Sequence, residues 1–255
     1  MKRYDFDLSG KIAFVNGASR GIGAAVAEGL ADRGAHVICA SRKLEGCSSV
    51  AQGIIESGGK AEALACHAGH MDQITAAIKH VRDTHGRLDI LINNAATNPY
   101  FGAATDTPEG AFDKTIEVNL KGPFFFCAQA IPLMREGGGG AIVNVASINA
   151  IEPGLYQAVY SMTKAALINM TKALAKENAR DKIRVNALLP GFTDTKMTAV
   201  FKADEDNLKA MLDENVPYNR MAQPEEMVGA VLYLVSDEAS YTTGAQIIVD
   251  GGYLL

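Results

Sequence analysis

The chain has 255 residues, with 24 Lys and Arg against 29 Asp and Glu, for a formal net charge of −5. A hydrophobic share of 48% beside a charged share of 21% is the composition of a folded globular chain and not of a disordered one. The acidic balance, with no basic run longer than two residues, argues against nucleic acid as a partner.

The first ten residues, MKRYDFDLSG, put Asp5 and Asp7 where a secretory leader needs its apolar stretch, so a cytoplasmic protein is expected. Apolar, β-branched runs follow at residues 11–15, 36–40, 61–66, 88–92, 141–145, 183–189 and 246–249. Helical spacing fills the intervals at 23–33, 44–57, 73–85, 111–134 (with a break expected near Gly122 and Pro123), 156–180 and 224–236. The longest apolar stretch, 123–134, falls short of the roughly 20 residues a spanning helix needs, so no membrane partner is expected. The four cysteines, Cys39, Cys47, Cys66 and Cys127, are scattered without a C-x-x-C pair, and structural disulfides are not expected.

Strands alternating with helices imply right-handed crossovers and a parallel sheet. Several strands are apolar on both faces, as they are when helices cover both sides. The Gly137–Gly140 run is too short for a linker. The expected fold is therefore one doubly wound, Rossmann-type α/β domain over residues 1–255, a parallel seven-stranded sheet with helices on both faces, with a small substrate lid around 192–215.

The first strand-to-helix junction reads VNGASRGIGAA from Val15. Gly17, Gly21 and Gly23 let the backbone turn tightly and approach a ligand, and the helix N-terminus that follows suits a pyrophosphate. Ser19, Arg20 and Ile22 share this turn as expected cofactor contacts. No Lys-Ser/Thr follows the last glycine, which excludes a P-loop. The same residues satisfy G-x-S-x-G, the nucleophile elbow of a hydrolase, but that enzyme needs a late histidine and the last one here is His85.

NAD-binding folds place an acidic residue about 20 positions beyond the glycine turn, against the ribose hydroxyls. Here the second strand ends in Ser41, Arg42 and Lys43. A guanidinium there clamps a 2′-phosphate that a carboxylate would repel, so NADP(H) is favoured, with NAD(H) as the alternative.

Tyr160 and Lys164 are spaced i, i+4 on one helical face. An ammonium beside a phenol favours phenolate, so Tyr160 is expected to titrate below its ordinary range and to exchange a proton in catalysis. Ser147 follows the fifth strand, at the sheet edge where ligands bind, and its hydroxyl can donate to a carbonyl oxygen.

Together these motifs resemble the short-chain dehydrogenase/reductase family, in its branch of about 250 residues and nearest the 3-oxoacyl-carrier-protein reductase-like members. The resemblance runs almost end to end, from the glycine turn to the Val249-Asp250-Gly251-Gly252 close, and includes Asn93-Asn94-Ala95-Ala96, similar to N-N-A-G. It implies a catalytic set of Asn119, Ser147, Tyr160 and Lys164. Tyr160 is then the general acid or base, Lys164 lowers its pKa and holds the nicotinamide ribose, Ser147 orients the carbonyl, and Asn119 supports a water chain. It also implies cofactor contacts at His67, Asn93, Ala95, Pro190, Gly191, Phe192 and Thr193, no metal, and a homotetramer built through helices 111–134 and 156–180 and the last strand. Asn16, Ala96 and His67 depart from the family's usual threonine, glycine and aspartate. His67 and His70 alone complete no metal site. The expected activity interconverts a ketone and a secondary alcohol, with Ile148, Asn149, Leu155, Tyr156 and residues 195–212 around the substrate. A cofactor-sensing protein without catalysis is the alternative on the same fold.

Overall fold

Seven apolar runs pair in parallel as β1 (Ile12–Asn16), β2 (His36–Ser41), β3 (Lys60–Ala65), β4 (Ile90–Asn93), β5 (Gly140–Val145), β6 (Ile183–Pro190) and β7 (Gln246–Val249). The order across the sheet is β3-β2-β1-β4-β5-β6-β7, the Rossmann-like arrangement expected. This computed structural model describes residues 5–255, and residues 1–4 of the expected domain lie outside the described residues.

The helices are α1 (Gly21–Asp32), α2 (Leu44–Glu56), α3 (Met71–His85), α4 (Glu109–Ile116), α5 (Gly122–Glu136), α6 (Ala158–Asn178), α7 (Glu205–Asn215) and α8 (Val228–Val235). One face of the sheet, through Val15, Cys39, Ile92 and Val143, packs on Val26 and Leu30 of α1, Ile54 of α2 and Val231 of α8. The other, through Phe14, Ile38, Leu91 and Ile142, packs on Ile74 and Val81 of α3, Phe126 of α5 and Leu174 of α6. Apolar alternation in the strands therefore feeds two separate cores, which is why both strand faces are hydrophobic.

Three boundaries differ from the sequence reading. Residues 111–134 do not break at Gly122: α4 and α5 join through a π turn at Glu117–Lys121. Pro123 has no amide hydrogen to give the carbonyl of Asn119, and a widened turn absorbs that lost helical bond. The helix expected from 156 begins at Ala158, because Tyr156 sits at φ +62°, in the left-handed region. Within 192–215 lies a helix not anticipated, α7, whose start is capped by Asp204 accepting from the Asn207 amide at 3.0 Å.

Candidate active site

The strands end in a row. Register places Ala40, Asn16, Asn93, Asn144 and Ala187 side by side on β2, β1, β4, β5 and β6. Immediately beyond this row the glycine turn leaves β1. Gly17 has φ +82°, and a Cβ there would lie 2.7 Å from the Ala95 amide nitrogen. A Cβ on Gly23 would lie 2.2 Å from the Gly17 carbonyl oxygen. Only glycine fits either place. The turn is held by Asn94, whose Nδ2 donates to the Gly17 carbonyl at 3.0 Å.

These glycines, the N-terminus of α1 behind them and the exposed Arg20 form a cradle that suits a pyrophosphate. Ser19 and Ile22 line the same turn, half-buried. At the end of β2, Ser41 is buried: its Oγ donates to the Lys43 carbonyl at 3.0 Å and accepts from the Cys47 thiol at 3.1 Å. Arg42 and Lys43 are exposed beside it, free to meet an anion. The residues present thus fit a phosphorylated dinucleotide.

His67 follows β3 as expected, but it does more than a surface residue would. Its Nδ1 accepts from the Gly69 amide at 3.0 Å, its ring stacks on His70 at 4.2 Å, and its Nε2 lies 3.2 Å from Lys114 Nζ. Partial burial and the Lys114 ammonium push its pKa down. Lys114 in turn pairs with Glu117 at 3.0 Å.

Asn93, expected as a cofactor contact, turns its side chain inward. Its Nδ2 points into the packing, donating to Asn144 Oδ1 at 2.9 Å and approaching the Cys127 sulfur at 3.3 Å. Asn94, not Asn93, steadies the turn. The sequence signal for this was the doubled asparagine itself: successive strand residues face opposite ways, so one of the two had to turn away from the other. The Ala95 backbone lies close against Gly17. Asn16 is 1% exposed, and neither its Nδ2 nor its Oδ1 has a hydrogen-bond partner.

On the far side of the row, Pro190 ends β6 and the Gly191 amide donates to the Val249 carbonyl at 2.9 Å. Buried Thr193 donates to the Gly191 carbonyl at 3.1 Å. Phe192 stands in a chain of rings, 5.5 Å from Tyr253 and 5.8 Å from Phe201, with Phe201 in turn 5.8 Å from Phe101. Phe192 and Phe201 thereby tie the start of the 192–215 segment to Phe101 and Tyr253.

Ser147 follows β5, and its Oγ accepts from the Asn149 amide at 3.1 Å, leaving its hydrogen free to donate. Tyr160 lies on the first turn of α6 with Ser147 as its hydrogen-bond partner. One turn on, Lys164 Nζ is 5.5 Å from the centre of the Tyr160 ring and donates to the Val145 carbonyl at 2.7 Å. Asn119, set inward by the π turn, clamps Thr97 from both sides: Oδ1 accepts from its amide at 2.8 Å and Nδ2 donates to its carbonyl at 2.9 Å. Nδ2 also reaches Thr163 Oγ1 at 3.3 Å, and that hydroxyl donates to the Tyr160 carbonyl at 2.7 Å. The four expected residues are thus brought together.

Their electrostatics are not those expected. Burial pushes the Tyr160 phenol up to about 12, against the opposing pull of the Ser147 hydrogen bond. Burial also pulls Lys164 down to about 7. Tyr160 is half-buried and Lys164 fully buried, and desolvation penalises the charged form of each, against the direction the sequence spacing implied. The result is a protonated phenol beside an amine that gains and loses its proton near neutral pH.

A family model described as enoyl-(acyl carrier protein) reductase matches residues 17–254. Dehydrogenase/reductase SDR family member 4 of Homo sapiens is 36% identical over 245 residues, covering 96% of this chain and 88% of that protein. The chain belongs to the short-chain dehydrogenase/reductase family. Two solved members share its shape closely. A 3-oxoacyl (acyl-carrier-protein) reductase from Agrobacterium tumefaciens, with NADP bound, has a TM-score of 0.92 and 35% identity over 97% of this chain and 96% of that one. L-sorbose reductase from Gluconobacter frateurii, complexed with NADPH and L-sorbose, has a TM-score of 0.93 and 34% identity over 98% of both chains. The family's members are NAD(P)-dependent oxidoreductases. Among the described residues, no helix is long and apolar enough to cross a membrane.

Proposed function

We propose that this short-chain dehydrogenase/reductase is NADP-dependent and interconverts a ketone and a secondary alcohol, with Tyr160 as general acid and base. The observation that carries the reading is Lys164: a 2% exposed amine against the Tyr160 ring, with no carboxylate partner among the described residues. A buried lysine lacking an ion pair is costly, and such groups cluster where a proton has to move. The nicotinamide supplies or accepts the hydride.

The chain's own residues do the rest. Tyr160 is protonated at neutral pH, so in reduction it donates to the oxygen as negative charge builds there. Ser147 donates to the same oxygen and fixes its direction. Lys164, poised near 7, returns a proton to the phenol after turnover. Asn119 holds the 97 loop and the start of α6 at fixed spacing, which suits the water chain the family resemblance implies. Arg42, Lys43 and Arg20 supply the positive charge that selects a 2′-phosphate over a bare ribose.

Substrate enters beside exposed Leu155 and Tyr156, under the lid formed by residues 192–215, where Met197 and Val200 are also exposed. This apolar mouth fits a ketone with a hydrophobic arm. Exposed Phe124 and Phe125 on α5, Met162 on α6 and Ile248 on β7 lie on the elements expected to build a homotetramer. The test is NADPH oxidation across a ketone panel by the native protein and by Tyr160→Phe. Turnover should fall by roughly 10²–10⁴-fold in the variant while NADPH binding is kept. A fully active variant removes Tyr160 from the chemistry.

A further inference from the structure

At the opposite end of the sheet, four histidine and glutamate side chains converge from three elements. His36 opens β2, Glu62 lies on β3, and His80 and His85 occupy the last turns of α3. His85 Nε2 is 3.0 Å and His80 Nε2 3.2 Å from the same Glu62 oxygen, Oε1. The His36 and His85 rings meet edge to face at 4.8 Å. One ligand atom each from His36, Glu62 and His85 falls within 4.8 Å of the other two.

Internal hydrogen bonding does not account for this cluster. Glu62 satisfies His80 and His85, yet His36 Nε2 is fully buried with no hydrogen-bond partner. A buried nitrogen left unpaired is destabilising and unusual enough to need a reason. Among the described residues nothing answers that nitrogen. A cation placed between the three groups satisfies that nitrogen and the carboxylate at once.

We propose that His36, Glu62 and His85 form a zinc site that fastens the sheet edge to the end of α3. Two imidazoles and one carboxylate are a borderline donor set that suits Zn²⁺ and is a poor match for Mg²⁺ or Ca²⁺, which take oxygen. His80 bonds the same Glu62 oxygen from outside this group of three, and water completes the coordination. The C-terminus of α3, where His85 is the last helical residue, favours positive charge as well. Exposed Lys60, opposite His36 in the register, is a cation that the sheet places against the site. The spread of the ligand atoms exceeds that around a bound ion, so the side chains close by roughly 1 Å on binding, given metal–ligand bonds of about 2.0–2.2 Å. The site lies at the edge away from the glycine turn, so its role is structural.

The experiment is a Zn²⁺ titration by calorimetry of chelator-stripped full-length protein, paired with the visible spectrum of the Co²⁺-loaded protein. One Zn²⁺ per chain, tetrahedral Co²⁺ bands and a raised melting temperature are expected. His36→Gln and Glu62→Gln should each weaken Zn²⁺ at least tenfold and abolish the Co²⁺ bands. The double variant His67→Gln/His70→Gln, which removes the other histidine pair, should retain both. The proposal is overturned if the native protein binds no stoichiometric Zn²⁺, if binding survives both His36→Gln and Glu62→Gln, or if it disappears with His67 and His70. The Co²⁺ spectrum of the native protein decides even where a variant fails to fold.

Discussion

Asp89 and Lys164 are both charges buried at an end of the parallel sheet, Asp89 where β4 is about to begin and Lys164 beside the last residue of β5. Asp89 is fully answered. It accepts from the Ile12 amide at 2.9 Å and from Arg87 through Nε at 3.0 Å, with a second guanidinium bond to its other oxygen. Lys164 has the Val145 carbonyl and, among the described residues, no carboxylate. One edge thus uses a buried charge to tie strands together, and the other keeps one that costs stability. The comparison teaches where a buried charge goes unanswered: Asp89, which holds strands together, is paired, and Lys164, without a carboxylate, stands beside the Tyr160 for which we propose proton transfer.

Lys164→Met tests the costly side and has the largest expected effect. Turnover should drop by roughly 10²-fold or more, since the phenol loses the amine that resupplies it. Stability at pH 7 should not drop. Lys164 titrates near 7 in the fold against an ordinary 10.5, so between those values the unfolded chain holds a proton that the folded chain has shed. Stability conferred at this site therefore rises with pH across that window, and at pH 7 and below the native lysine carries its full penalty. Urea unfolding of the two proteins at pH 7 and pH 10 reads this directly. A native-minus-variant difference that stays flat with pH defeats the assignment.

Asp89→Ala is the mirror experiment. It leaves the Ile12 amide without its acceptor and Arg87 without its partner, at an expected cost of about 1–3 kcal/mol, reduced because Arg87 is half in solvent. Its kcat should match the native value. If Asp89→Ala slowed turnover while leaving the unfolding midpoint in place, the division between the two edges would fail.

Much of the active edge was legible because its residues are local in sequence. The glycine turn spans seven positions, Tyr160 and Lys164 are one helical turn apart, and Ser147 directly follows a strand. The parallel seven-stranded sheet covered on both faces followed from alternation and handedness, whereas its strand order came from the pairing itself. What was not legible depended on depth or on distance along the chain. Spacing shows that Lys164 is near Tyr160 but not that Lys164 is buried and the half-buried phenol is desolvated, so the phenol's shift was expected in the opposite direction. Asn93 and Asn94 could not be told apart without knowing which one the strand turned inward. The π turn that aims Asn119 is a register change no apolar pattern records. His36, Glu62, His80 and His85 are separated by up to 49 positions and meet only through the β2–β3 pairing and the return of α3.

Arg42 sharpens the comparison from within the active edge, because it is a charge left exposed and not buried. Arg42→Ala should raise the Kd for NADPH by about tenfold, the worth of a charge-assisted hydrogen bond, and leave that for NADH almost unchanged. Fluorescence titration with both nucleotides measures it. An equal loss for the two would mean that Arg42 serves the pyrophosphate or the fold, and not the 2′-phosphate.

The smallest effect belongs to Asn16, one of several buried polar groups on that edge left without a partner. Its amide is buried beside Asn93 in the strand row with both ends unpartnered, a neutral counterpart to the isolation of Lys164. Asn16→Thr restores the residue usual in the family and removes one unpaired group, so the unfolding free energy should be equal or up to about 1 kcal/mol higher. Turnover then separates two meanings of an unpaired group. If it is unchanged, Asn16 is a tolerated burden, and catalytic isolation at this edge belongs to Lys164 alone. If turnover falls while stability rises, the amide is held unpaired for the ligand that the neighbouring glycine turn receives.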